Sequence, residues 1–258
     1  MRLSLSSIFL FAYLRITANN EKIHKEDYLS FVILSFFSPF CYFLGESFGL
    51  SLVSPTIAAV IIATIPVFTP LLGYFAFREK LTALNIVGFI VSFMGVSVMV
   101  LDFEFRFSAS PLGILLLFFA VFSALVNIVV LKKLTLKYSS TRIIQVQNLL
   151  GALFFLPLFL VFDFKSFVSV QPTWELIFAL LKLSVFASSM AFIFFTYAIR
   201  NIGIAKTSVF GNLIPVFTAV FSFFLIQEQI DLSKILGIII VISGLMLSQR
   251  SKQLSPKV

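Results

Sequence analysis

Charge, cysteine and histidine are what this sequence has least of. Of its 258 residues only 12% are charged, one is cysteine, one is histidine and one is tryptophan. A lone Cys41 excludes a disulfide within the chain and a cysteine-based metal cluster. His24 lies in the charged stretch NNEKIHKEDY and reads as a solvated loop residue, so neither a metal site nor a cofactor is expected. No G-x-x-x-x-G-K-S/T motif is present, which excludes direct drive by ATP. The formal charge is +8, but no basic stripe with interleaved aromatics stands ready for a phosphate backbone, so nucleic acid is not an expected partner. What fills the space is apolar: 60% hydrophobic residues and a mean hydropathy of +1.09. A soluble domain of this length cannot bury that much apolar surface.

Long apolar runs separated by short polar connectors predict a polytopic all-α membrane protein, and the ~10-residue alternation of a transmembrane barrel is absent. Nine transmembrane helices are expected, near 3–18, 29–49, 55–77, 83–101, 111–131, 143–162, 174–199, 205–226 and 234–249. A basic loop follows the first, which argues against a cleaved export signal there. Fourteen of the nineteen Lys and Arg fall in alternate connectors: Arg15, Lys22 and Lys25; Arg78 and Lys80; Lys132, Lys133, Lys137 and Arg142; Arg200 and Lys206; Arg250, Lys252 and Lys257. The opposite connectors hold Arg2, Arg106 and Lys165. Excess cations mark the cytoplasmic side, so a multi-pass cell-membrane protein with a cytoplasmic C-terminus is expected.

Two segments align without a gap at an offset of 149 residues: PVFTPLLGYFAFREKLTALNIVGFIVSFMG and PVFTAVFSFFLIQEQIDLSKILGIIIVISG. Pro66 matches Pro215, Glu79 matches Glu228, Gly88 matches Gly237 and Gly95 matches Gly244. Pro, Glu and Gly are uncommon in apolar helices, so their coincidence points to duplication. Five spans lie between the FREK and IQEQ loops of the two copies, and an odd number turns the second copy upside down. Inverted repeats are a hallmark of secondary transporters, whose halves rock about a central site. The Pro-Val-Phe-Thr segment, the acid at the span end and the Gly-x6-Gly helix resemble the EamA domain of the drug/metabolite transporter superfamily. That resemblance covers nearly the whole chain. It implies an inverted repeat of five-helix units, carriage of small metabolites, and Arg2 as a cavity residue. It also implies repeats at 1–102 and 111–250 followed by a cytoplasmic tail at 251–258, with residues 2–18 standing for the family's second helix and the first of the usual ten missing.

The expected activity is secondary transport of a small metabolite, an amino acid or related amine or zwitterion, outward across the inner membrane by alternating access, with a proton as a candidate coupling ion and the oligomeric state open. Two other readings are a non-transporting assembly or receptor subunit and an intramembrane enzyme. The second lacks a span-buried Asp or His, and Lys182 and Ser184 diverge on a helix. Candidate pathway residues are the polar groups within spans. Glu46 either reaches the interface or binds an amine or proton, beside a Gly45-x-x-x-Gly49 pattern that admits a neighbouring helix. Lys182 either snorkels or anchors a carboxylate. Asn212, Asn127 and Asn148 serve a ligand or join helices, and Gln145 and Gln147 lie on different helix faces. Trp174 stands at a span entrance as an interface anchor. The corners FREK and IQEQ precede the helix starts Thr82 and Asp231. Glu79 and Glu228 read as structural corners, one flanked by cations and one by neutral amides because they face opposite sides of the membrane.

Overall fold

The computed structural model describes residues 1–17, 21–68, 72, 74, 82–100, 109–209, 213–228 and 231–250. Every regular element among them is helical. In chain order these are α1 (Arg2–Ile16), α2 (Tyr28–Ser35), α3 (Tyr42–Leu50), α4 (Pro55–Ile62), α5 (Ala83–Val100), α6 (Pro111–Leu134), α7 (Ser140–Leu158), α8 (Phe164–Ser169), α9 (Trp174–Lys182), α10 (Ala191–Val209), α11 (Leu213–Ile226) and α12 (Leu232–Arg250). Wider π-helical turns join α2 to α3 at Phe36–Cys41, α7 to α8 at Phe159–Asp163, and α9 to α10 at Leu183–Met190. Among the described residues four stretches, Lys25–Leu50, Pro111–Leu134, Ser140–Ser169 and Trp174–Ile202, are long and apolar enough to cross a membrane.

Helix starts follow side-chain chemistry. Ser139 and Thr173 cap α7 and α9 by accepting from the amides of Arg142 and Leu176. The hydroxyl of Thr82 accepts from the Asn85 amide while Asn85 Oδ1 takes the Thr82 amide at 3.0 Å, a reciprocal cap at the expected start of α5. The Asp231 carbonyl accepts from the amides of Lys234 and Ile235, which puts Asp231 at the N-cap of α12.

Three local expectations need correction. The apolar run at 55–77 is not one helix over its described part: α4 stops at Ile62, and a second helical stretch begins after Ala63–Thr64. Pro66 has no N–H for the Ile62 carbonyl, and the Thr64 hydroxyl donates to the Ile61 carbonyl at 2.6 Å. The connector expected at 200–204 is helical within α10, and helix continues past 162 to Ser169. Polarity marks where a helix leaves lipid, and helical hydrogen bonding continues past that point.

The chain forms two compact units. One comprises Met1–Cys41 and Val126–Ile204, the other Tyr42–Leu125 and Ala205–Val258, so each draws on both sequence halves. The first unit is centred on Phe31, Leu34, Leu131, Leu134, Tyr138, Ile143 and Ile199. The second is centred on Ile57, Val60, Ile61, Val96, Leu117, Val121, Val241 and Leu245. Outward faces are apolar too: Phe224 is 74% exposed, Leu225 77% and Trp174 75%. Such surfaces match lipid, since water-facing proteins rarely leave contiguous apolar patches this large.

Within the second unit the duplication becomes geometric. A Cβ on Gly88 would stand 2.5 Å from the Gly244 carbonyl oxygen, and one on Gly95 would stand 2.9 Å from that of Gly237. Rising along α5 therefore means falling along α12, so the two helices run antiparallel. The partners are also exchanged, because Gly88 is the repeat mate of Gly237 and Gly95 that of Gly244. At the centre the Ser92 hydroxyl donates to the Val241 carbonyl at 3.2 Å, across a separation of 149 residues. Exchange of equivalent positions about a fixed midpoint is what a two-fold axis does. An antiparallel pair of equivalent helices is the inverted repeat seen at one crossing.

Candidate functional site

In the first unit, α7 presents a seam of uncharged polar groups to two helices that break their α-pattern. The first break is at Ser38, whose backbone is extended (φ −145°, ψ 123°), followed by Pro39. Its carbonyl accepts from Gln147 Nε2 at 2.6 Å and from Asn127 Nδ2 at 3.5 Å. Asn127 also donates to the Leu34 carbonyl at 3.1 Å. Pro39 fits against α7 because residue 151 is glycine, where any Cβ would collide with the proline ring.

The second break is the π-helical stretch Leu183–Met190, which the 149-residue offset superposes on Phe36–Cys41. Here Asn148 Nδ2 donates to the Ser188 carbonyl at 2.8 Å and to Ser6 Oγ at 2.8 Å. Ser6 Oγ and Ser189 Oγ are 2.6 Å apart, and Ser189 donates to the Ser184 carbonyl. Two successive amides of one helix thus hold corresponding irregular segments of the two repeats. Wider turns leave carbonyls imperfectly served in a medium without water, and amide side chains answer that need. Gln147 and Asn148 are both buried, and Gln147 Oε1 has no hydrogen-bond partner among the described residues.

At one end of the first unit, polar connectors tie down the helices. Lys137 Nζ donates to Asp27 Oδ1 at 2.8 Å and Tyr138 Oη to Asp27 Oδ2 at 2.8 Å. Glu21 accepts from both the amide and the hydroxyl of Ser139.

The second unit carries a charged corner where residues 51–54, 109–110 and the start of α12 meet. Lys234 Nζ donates to Glu228 Oε1 at 3.0 Å, and the Thr56 hydroxyl donates to Oε2 at 2.9 Å. The Glu228 side chain is only 8% exposed. Burial pushes its carboxyl up, but hydrogen bonds from Ser54, Lys234 and Thr56 outweigh that and hold it below its ordinary 4.5. Gln227, at the end of α11, has φ +54°, and the Glu228 amide returns to the Ser222 carbonyl at 3.1 Å. Beside this corner opens a cavity of about 720 Å³ lined by Ser54, Ser110, Ser233, Asp231, Lys234 and Met99 among others.

Asn127 and Asn148 of the expected pathway set thus stand in the seam of the first unit. Lys182 ends α9 in the same unit and is exposed. Glu46 belongs to the second unit, half-buried, accepting from Tyr42 Oη at 2.9 Å. Its Gly45-x-x-x-Gly49 pattern admits α6: a Cβ on Gly45 would stand 2.7 Å from the Leu116 carbonyl oxygen. Pro66, Pro215, Gly88 and Gly237 are buried within the second unit. Asn212 and Glu79 lie outside the described residues. Ser6, Ser38, Ser188 and Thr56 escaped notice in the sequence, since small hydroxyls are common in apolar helices and carry no charge; Pro39 beside Ser38 was the one available signal. Among the described residues no group of three or more His, Cys, Asp or Glu gathers to hold a metal.

An inverted helical duplication with lipid-matched outer faces and polar seams inside defines a polytopic membrane transporter. The profile of the EamA-like transporter family matches residues 1–101 and 111–249, and the chain belongs to that family. It is 28% identical over 249 residues to an uncharacterized transporter of Archaeoglobus fulgidus, covering 96% of this chain and 85% of the relative. It is 24% identical over 235 residues to the uncharacterized transporter YetK of Bacillus subtilis, covering 89% and 70%. A solved structure titled only as the crystal structure of a protein superposes with a TM-score of 0.68 at 14% identity, over 96% of this chain and 85% of that one. That likeness concerns the fold alone.

Proposed function

We propose that the protein is a secondary carrier that moves a small polar metabolite, an amino acid or related amine or zwitterion, out of the cell by alternating access. The observation that carries this is the exchange of Gly88, Gly95, Gly237 and Gly244 about Ser92 and Val241, the signature of two inverted halves. Inverted halves give a protein two conformations of similar energy that open to opposite sides. Each half contributes a helix with an irregular turn, held by amides and hydroxyls that recognise a ligand without burying an unpaired charge. Glu46, in the second unit, is proposed to bind an amine or the coupling proton, and Lys182, in the first, to anchor a carboxylate. The C-terminus is placed in the cytoplasm on the distribution of cations.

The test is uptake into proteoliposomes of a panel of amino acids and amines, with and without an imposed pH gradient. The expected result is saturable transport of at least one zwitterion, reduced by Glu46→Gln. Absence of transport across the panel in both conditions, by protein shown to be folded, would reject the reading.

A further inference from the structure

The charged corner of the second unit is built to hold a carboxylate, and it now holds the chain's own. We propose that the cavity beside it is a binding site for a small carboxylate with a short apolar tail, which exchanges with Glu228 on Lys234.

Three observations converge on that chemistry. The first is the cavity itself, about 720 Å³, within the size range of small-molecule sites. Its walls divide by character: Val53, Ile57, Met99 and Pro111 are apolar, while Ser51, Ser54, Ser110 and Ser233 offer hydroxyls. The second is the Lys234 ammonium, which lines the cavity and at the same time binds Glu228 at 3.0 Å. Ser54 likewise serves both, lining the cavity and bonding to the Glu228 carboxylate. A side chain 8% exposed that gathers an ammonium and two hydroxyls shows what the corner recognises. The third is the set of backbones that open there. Helices α4, α6 and α12 begin at Pro55, Pro111 and Leu232, each one residue beyond a lining residue. Their positive ends favour an anionic headgroup, and they weigh against the one acidic lining residue, Asp231, which is exposed at its helix cap.

A proton balances the exchange: as the ligand carboxylate takes Lys234 and Ser54, Glu228 gives up its ion pair, takes a proton from water and stays hydrogen-bonded to Thr56, so ligand and resident compete for one ammonium. The proposal rests on the transport reading only where it names this ligand class as substrate; binding at the cavity stands or falls separately.

The experiment places a single reporter in the cavity. Ser233 lines it and is exposed, whereas the native Cys41 is buried. In the purified full chain carrying Ser233→Cys, labelling by a membrane-impermeant maleimide is followed while hexanoate, 1-hexanol or hexylamine is titrated in. Hexanoate is expected to slow labelling saturably and the other two are not. Adding Lys234→Gln should raise the half-protecting concentration at least about tenfold, and adding Glu228→Gln, which removes the charged competitor, should lower it about tenfold. If Lys234→Gln does not fold, the lowered half-protecting concentration of Glu228→Gln decides alone. Equal protection by the alcohol, protection by the amine instead, or indifference to both corner variants overturns the proposal. Protection by hexanoate with no transport of any panel compound would leave this site standing and reject the carrier reading.

Discussion

The crossing of α5 and α12 makes a quantitative demand that one methyl group tests. In Gly88→Ala the new Cβ would lie 2.5 Å from the Gly244 carbonyl oxygen and 2.6 Å from the Ser248 amide nitrogen. An ordinary carbon–oxygen contact is about 3.3 Å, so the helices must part by roughly 0.8 Å at that end. Both close atoms are backbone, and no side chain can swing aside to absorb the shift. Asn85 Nδ2 also binds the Ser248 carbonyl there at 2.7 Å, and the same displacement carries it beyond the ~3.2 Å limit of a good hydrogen bond. Overpacking costs about 1–3 kcal/mol and the weakened bond about 1 kcal/mol, against about 1 kcal/mol gained from replacing a helical glycine by alanine. Net destabilisation of about 1–3 kcal/mol is expected, read as a lowered midpoint of thermal unfolding in detergent. Ser97→Ala, at a half-buried position of α5 whose hydroxyl bonds to the Phe93 carbonyl of its own helix, is the control and should stay within about 0.5 kcal/mol. The two-fold relation adds a sharper requirement. A Cβ on Gly244 would press on Ser92 and the Gly88 carbonyl, at the same end of the crossing. One separation accommodates both methyls, so Gly88→Ala with Gly244→Ala should cost less than the sum of the single changes. Gly237 lies at the other end, against Met99 and Gly95, so its pairing with Gly88 should be closer to additive. An unchanged midpoint in Gly88→Ala, or full additivity of Gly88 with Gly244, would refute this crossing.

Three further expectations use different chemistry. Gln147→Leu removes the 2.6 Å donor to the Ser38 carbonyl and should cost about 1–3 kcal/mol in chemical unfolding, with no loss if the Gln147 amide serves no structural purpose. Gln227 occupies the left-handed region at φ +54°, so Gln227→Gly should raise the thermal midpoint slightly, by the equivalent of about 0.4–1 kcal/mol; a lowered midpoint would contradict that backbone. Because the Glu228 carboxyl is held below its ordinary 4.5, its ion pair stabilises the fold above that pH and is lost as pH falls through its folded value. The stability difference between the native chain and Glu228→Gln should therefore be full near neutrality and shrink toward zero below pH 4.5; a difference that persists in acid would refute it.

How much of this was legible beforehand divides along physical lines. Long-period signals survived: the apolar runs, the 149-residue offset and the small residues at 88, 95, 237 and 244 all state where helices lie and touch. Thr82 and Asp231 announced helix starts because caps are local chemistry. The π-helical turns at Phe36–Cys41 and Leu183–Met190 were illegible, since hydropathy reports polarity and is blind to which carbonyl a given amide reaches. The same blindness hid Ser6, Ser38 and Ser188. Their importance comes from backbone atoms of another helix, and no spacing within their own segment encodes it. Asn127 and Asn148 were visible as polar residues within spans. Their partners became visible only with the backbone of the neighbouring helices in place.

Charge is placed differently in the interior and at the ends, and that constrains what a carrier of this construction can accept. Asp27 is the one charged residue among the fully buried polar residues described; the others carry hydroxyls or amides. A hydrogen bond from an amide contributes about 1 kcal/mol, whereas an unpaired charge inside a membrane costs several. A seam of amides and hydroxyls therefore stabilises a dipolar or neutral ligand and leaves a bare ion uncompensated. Ion pairs sit instead at connectors, Lys137 with Asp27 and Lys234 with Glu228, where water reaches one side. Under the proposed exchange, a ligand carboxylate that takes Lys234 leaves Glu228 to be neutralised by a proton. A ligand that reaches such an end as an anion must gain a proton or bring its own cation before a seam of this kind can hold it. That is the physical basis for expecting a zwitterion or a proton-coupled acid.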